Sequence, residues 1–166
     1  MTDLRSAPLP PLTDADHVRG PAGAPLLTVY ADYECPFCAV TEARLAAAAV
    51  RVCFRHFPVR TSHPRAWAAA QAAEAAAAQG AFWPMHDALF ADQGRLEDPH
   101  LWARAEALGL DIARFDTDRR SGEVLARVRA DFEAGLRGGV ATTPTLVVGG
   151  ALHPGIPDTS WLSQLG

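Results

Sequence analysis

Apolar and polar positions along the chain follow two regimes in turn. Leu26-Leu27-Thr28-Val29-Tyr30-Ala31 is an apolar run of strand length, and it gives way at Asp32 to a stretch of helix-compatible residues. The pattern predicts a buried strand over 26–31 and a helix over 36–48, where the alanines add helix propensity. A second run from Val50 to Phe57, closed by Pro58, predicts another strand. Strand, helix and strand together form a right-handed βαβ unit with parallel strands. The link into Val50 carries no Gly, Asn or Asp turn signal, so the first helix is expected to end early. From 64 to about 135 the pattern is helical throughout, with helices expected over 64–79, 82–90, 99–108, 111–115 and 123–136. Two short strands over 145–148 and 151–153 flank Gly149-Gly150, a hairpin signal, and a last helical turn or two fills 159–165.

No internal repeat and no linker divides this pattern. Residues 1–20, with Ala7-Pro8-Leu9-Pro10-Pro11, read as a tail that is extended or disordered at its start. Residues 21–166 read as one α/β domain, with a helical insertion over about 62–137 between the two halves of one sheet.

Composition narrows the function. The 166 residues suit one domain, and a content of 49% hydrophobic and 20% charged residues is that of an ordinary globular protein. A net charge of −4 without a basic cluster argues against nucleic acid as a partner. All 15 basic residues are arginines, which excludes lysine Schiff-base chemistry. Neither a signal-peptide run nor a membrane-length stretch is found near the start, so a cytoplasmic location without a membrane partner is expected. In that compartment a CxxC is usually catalytic or metal-binding.

Cys35-Pro36-Phe37-Cys38 supplies that CxxC, at the junction of the first strand and helix. Pro36 suits a first helical turn, where its missing N–H costs nothing, and this places Cys35 at the N-cap. Free backbone N–H groups and the helix dipole there favour a thiolate. Cys38, about one turn on, can attack a mixed disulfide formed at Cys35. From spacing alone the pair reads as a redox dithiol, half of a zinc site or two inert core thiols, and proximity to a βαβ pattern favours the first. Further along, Pro144 enters a strand without a donor for the ladder. A cis Thr143–Pro144 bond that frees the Thr143 backbone for a peptide is one explanation, and an ordinary trans proline at a strand start is the simpler one for this residue alone.

Taken together, the two sites resemble the thioredoxin fold with a DsbA-type helical insert. The resemblance runs from about Asp16 to Leu165. It rests on Asp32-Tyr33-Glu34-Cys35-Pro36-Phe37-Cys38, Phe54-Arg55-His56-Phe57-Pro58, Ser62-His63-Pro64, Ala72-Ala73-Glu74-Ala75, the run Gln79 to Asp87 and Thr143-Pro144-Thr145. The branch is similar to the DsbA-like domains also found as tails of some bacterial sodium/proton antiporters, here expected to stand alone.

The resemblance implies thiol–disulfide oxidoreductase activity toward disulfide- or thiol-bearing proteins, peptides or small molecules. No cofactor is implied beyond the redox disulfide, with glutathione or another thiol as co-substrate and a separate redox partner. Cys35 is then the exposed nucleophile and Cys38 the buried resolving thiol. Pro144 is the facing cis-proline, and Thr143 offers its backbone to the substrate. Pro36-Phe37 departs from the Pro-His pair of the strongly oxidising relatives, which implies a weaker oxidant. Related sequences carry a buried acid six residues before the first cysteine; here Val29 stands there, and Asp32 is the nearest alternative proton relay. A glutathione-dependent transferase or isomerase on the same fold is the alternative activity, although such enzymes usually carry a lone serine or cysteine. A redox-sensing binding module without turnover is the non-enzymatic alternative. Cys53 reads most simply as a space-filling strand residue, His56, His63 and His86 as structural, and Arg119-Arg120 as a solvated surface.

Overall fold

The computed structural model describes residues 7–165. In chain order the elements are β1 (His17–Arg19), β2 (Leu26–Ala31), α1 (Pro36–Ala47), β3 (Arg51–His56), α2 (Ala66–Ala77), α3 (Phe82–Ala91), α4 (Asp98–Ala107), α5 (Ile112–Arg119), α6 (Gly122–Arg137), β4 (Thr145–Val148), β5 (Ala151–Pro154) and α7 (Thr159–Ser163). They build one sheet in the order β1-β3-β2-β4-β5. β2 and β3 run parallel, with Val29 opposite Phe54, and the other neighbouring pairs are antiparallel. The result is the expected thioredoxin-like α/β fold, with five helices inserted between β3 and β4.

Strand alternation explains how the sheet is covered. Leu27 and Val29 join Val52, Phe54 and Leu146 in the main core, together with Cys35 and Cys38. Tyr30 points to the other face, where it packs with Phe57 and Val140. On that face α6 passes close to the sheet at Gly135, where an added Cβ would meet the Phe57 ring at 2.9 Å. The small side chains of α2 let the insertion pack tightly: Ala66, Ala69, Ala72, Ala73, Ala75 and Ala76 are all fully enclosed.

Three details differ from the sequence reading. First, β1 lies inside the stretch assigned to the tail. A three-residue strand is too short to show periodicity, and it forms because the outer edge of β3 offers unpaired backbone groups. The tail before it is pinned by Arg55, whose guanidinium donates to the Pro10 and Pro11 carbonyls and pairs with Asp16 at 2.9 Å. The start of the tail, residues 1–6, lies outside the described residues. Second, α5 runs on to Arg119 rather than stopping near residue 115, because its second half is polar and carries little apolar signal. Third, Arg119 is not solvated. It is 6% exposed and bridges Asp98 and Asp116, joining α4 to α5. The first helix does end early, at Ala47, with Ala48 already extended as its C-cap.

Candidate active site

The site forms where β2 runs into α1. Cys35 caps α1 in an extended conformation, Pro36 occupies its first turn, and the Cys35 carbonyl accepts from the backbone N–H groups of Cys38 (3.1 Å) and Ala39 (3.3 Å). Cys35, Cys38 and Cys53 are free thiols in this structure. The Cys35 sulfur lies 3.6 Å from the Thr143 carbonyl oxygen, so the N-terminus of α1 faces the turn before β4. The Thr143–Pro144 peptide is cis. The Pro144 carbonyl accepts from Gly155 N–H at 2.8 Å, which ties this turn to the end of β5.

The two thiols differ sharply in acidity. A hydrogen bond from Cys38 favours the Cys35 thiolate more than burial opposes it, and with the backbone N–H groups of Cys38 and Phe37 and a contact to Thr143 it lowers the Cys35 pKa to about 6. Burial, together with the adjacent Cys35 sulfur, pushes Cys38 far above the usual thiol range, although the Asp32 N–H donates to its sulfur at 3.5 Å. The arrangement therefore pairs one thiol that ionises near neutrality with one held protonated. Cys53 is fully enclosed on the opposite sheet face, where burial raises its pKa to about 12.

Cys35 differs in one respect from expectation: only 2% of its surface is open, so it is not an exposed nucleophile in this conformation. The cause is local. Its sulfur turns inward toward the Thr143 carbonyl, while Pro36, Phe37 and Thr142 beside it remain exposed. Phe37 is 60% exposed and takes part in the site as a rim residue.

Asp32 is buried beneath the active-site loop. Its carboxylate accepts from the backbone N–H groups of Glu34 and Val59 and pairs with His63 Nδ1, each at 2.8 Å. Its hydrogen bonds thus fasten the active-site loop to the loop after β3, and its link to Cys38 is through the backbone N–H alone. Val29 is fully enclosed in the core, as an apolar residue at that position should be.

Several supports carry no sequence motif. Gln93, in the turn after α3, donates from Nε2 to both the Tyr33 and the Cys35 carbonyl at 2.9 Å. Arg65 donates from its backbone and its side chain to the two carboxylate oxygens of Glu34. The Tyr33 hydroxyl lies 3.0 Å from His86 Nδ1, and His86 Nε2 lies 3.0 Å from Glu42 on α1. The helical insertion therefore grips the active-site loop at three points. A sequence reading can find Tyr33 and His86 as aromatic landmarks, but nothing in a turn such as Asp92-Gln93-Gly94 marks its glutamine.

Among the described residues, no helix is long and apolar enough to cross a membrane.

Comparison with known proteins agrees with this geometry. The sequence is 45% identical over 148 residues to the Na(+)/H(+) antiporter NhaA 3 of Salinispora tropica, covering 86% of this chain and 23% of that protein. It is 46% identical over 160 residues to the Na(+)/H(+) antiporter NhaA 1 of Mycolicibacterium vanbaalenii, covering 90% of this chain and 26% of that protein. The chain thus spans about a quarter of the length of these relatives. Among solved structures, a thioredoxin-like oxidoreductase from Silicibacter pomeroyi superposes with a TM-score of 0.82 at 28% identity, covering 92% of this chain and 91% of that one. The catalytic domain of Proteus mirabilis ScsC superposes with a TM-score of 0.78 at 20% identity, covering 92% and 88% of the two chains, and shares the fold. The sequence pattern described as thioredoxin matches residues 12–164, and this establishes that the chain belongs to the thioredoxin family.

Proposed function

We propose that the protein is a thiol–disulfide oxidoreductase working through the Cys35–Cys38 dithiol. The observation that carries this reading is the placement of the two thiols: Cys35 caps α1 with its sulfur 3.6 Å from the Thr143 carbonyl oxygen, and Cys38 lies fully buried one turn behind it, an arrangement that lowers the Cys35 pKa and raises that of Cys38. In the reductive direction the Cys35 thiolate attacks one sulfur of a substrate disulfide and expels the other as a thiolate. Cys38 then loses its proton and attacks the Cys35 sulfur of the mixed disulfide, which releases the second substrate thiol and leaves Cys35–Cys38 oxidised. Oxidation of a substrate dithiol is the same sequence reversed.

Pro144 and the Thr143 backbone form the wall on which a substrate peptide would lie. The exposed apolar side chains of Phe37 and Val40 on α1 and of Ile156 after β5 suit disulfides in apolar or unfolded segments. A Cys35 pKa of about 6 lies between the ~7 of thioredoxin and the ~3.5 of DsbA, and nearer the former. Combined with a cytoplasmic setting, this favours work as a reductase that a thiol donor such as glutathione or a dedicated redox partner recharges.

A Cys38→Ala variant tests the reading. It should accumulate a mixed disulfide at Cys35 with a disulfide-bearing protein such as insulin, visible by non-reducing electrophoresis and mass analysis, while the parent protein turns insulin over. Steady glutathione-dependent turnover by Cys38→Ala would instead identify a transferase or isomerase. Cycling of Cys35–Cys38 without turnover in the parent would identify a redox-sensing module.

A further inference from the structure

His17, His56 and Glu74 take no part in dithiol exchange, yet they converge on one point from three elements. His17 comes from the edge strand β1, His56 from the end of β3 and Glu74 from the middle of α2. His17 Nε2 lies 2.8 Å and His56 Nε2 2.7 Å from the same carboxylate oxygen, Glu74 Oε1. All three donor atoms lie within 4.8 Å of one another.

Two further features set this cluster apart from an ordinary buried ion pair. The imidazoles are held in place by aromatic neighbours: His17 stacks on Phe82 at 3.5 Å and 6°, and His56 meets Phe54 and Phe82 edge-on. The cluster is also open on one side only. His56 and Glu74 are buried, whereas the His17 side chain keeps 16% of its surface at the sheet edge.

We propose that His17, His56 and Glu74 form a binding site for a first-row divalent cation of the Zn²⁺ class. Two imidazoles and one carboxylate are the donors that suit Zn²⁺, Ni²⁺ or Cu²⁺, and three protein ligands leave a fourth position for water. The ion replaces the hydrogens that now bridge nitrogen and oxygen, and each neutral imidazole keeps its proton on Nδ1. Tetrahedral geometry with bonds of ~2.0–2.2 Å needs N···O separations of roughly 3.4 Å, so the N···O distances of 2.8 and 2.7 Å open by about 0.6–0.7 Å. His17 is the member that can adjust, sliding within the plane of its stack on Phe82, because β1 is only three residues long and lies at the edge of the sheet. The bound ion ties β1 to β3 and α2. Its expected effect is therefore on the stability of this corner, separate from the redox chemistry.

The competing reading is a hydrogen-bonded strut with no affinity for metal. The two are separated by titrating Zn²⁺ and Co²⁺ into a Cys35→Ala/Cys38→Ala double variant, so that the dithiol cannot bind the ion. The site predicts saturable binding of one equivalent per chain, a rise in melting temperature with Zn²⁺, and Co²⁺ absorption bands without thiolate charge transfer. His17→Ala in the same background, checked for folding by circular dichroism, should weaken binding at least about tenfold. Should His17→Ala not fold, His17→Gln provides the same comparison. No saturable binding below about 1 mM ion, or binding unchanged by the His17 variant, would overturn the proposal.

Discussion

Replacing Cys38 by alanine isolates the interaction that makes Cys35 reactive. The fall of the Cys35 pKa from 9.0 to about 6 corresponds to about 4 kcal/mol of preference for the thiolate. The hydrogen bond from Cys38 is the largest favourable contribution, ahead of the backbone N–H groups at the start of α1. A hydrogen bond to a charged group is worth about 1.5–3 kcal/mol, so its loss should raise the Cys35 pKa by about one to two units, to about 7–8. At pH 7 the thiolate fraction then falls from about nine-tenths to between about a half and a tenth. Absorbance at 240 nm across a pH titration reads this midpoint, and the rate of iodoacetamide alkylation gives an independent value. Cys53 is silent in both assays, being fully enclosed with a pKa near 12. A midpoint that stays near 6 in a folded Cys38→Ala protein would refute the assignment and leave the helix N-terminus and the Thr143 contact as the causes. A midpoint near 9 would refute the backbone share instead.

Three other outcomes follow from the same geometry. The Cys35 pKa lies below its unfolded value, so the unfolded chain binds the extra proton between about pH 6 and 9. Urea denaturation should show the reduced protein gaining up to about 4 kcal/mol of stability across that window and losing it as pH falls through 6. Above about pH 9 the trend reverses, because the buried thiols Cys38 and Cys53 ionise only in the unfolded chain; the oxidised protein should lack the rise between about pH 6 and 9 and keep only the shallower fall due to Cys53. Phe37→His, at a position 60% exposed, should fold normally, lower the Cys35 pKa and make the dithiol more oxidising in glutathione equilibration; an unchanged potential would contradict the role given to this dipeptide. Asp32→Ala strands the N–H groups of Glu34 and Val59 and should cost about 2–4 kcal/mol in denaturant unfolding, with little change at Cys35. Unchanged stability with slower resolution of the mixed disulfide would return Asp32 to the relay role.

The fold was legible where physical constraint and sequence signal coincide. The apolar run of β2 needs burial on both faces, and Pro36 and Gly149-Gly150 punctuate the chain by backbone restriction, so these boundaries could be read directly. The dithiol was legible because CxxC spacing, a preceding strand and a later Thr-Pro constrain one another. What escaped was tertiary. β1 exists because β3 has an edge to cover, and Arg55 holds the tail through the Pro10 and Pro11 carbonyls, which no side-chain pattern announces. Arg119 is buried because Asp98 and Asp116 converge on it from two helices. Gln93 reaches two carbonyls some 60 residues away in sequence, so its role appears only when the insertion is folded over the active-site loop. The inward turn of the Cys35 sulfur likewise depends on where the Thr143 carbonyl comes to rest.

The deciding measurement is equilibration of the protein in glutathione buffers of graded potential, with free thiols trapped and the products mapped by mass. The prediction is a single disulfide joining Cys35 to Cys38, with Cys53 free. Its potential should lie about 20 mV above the ~−270 mV of thioredoxin, the increment that a pKa of about 6 rather than ~7 supplies at pH 7. Failure of the Cys35–Cys38 disulfide to form at any poise, or a disulfide that includes Cys53, would contradict the proposed chemistry.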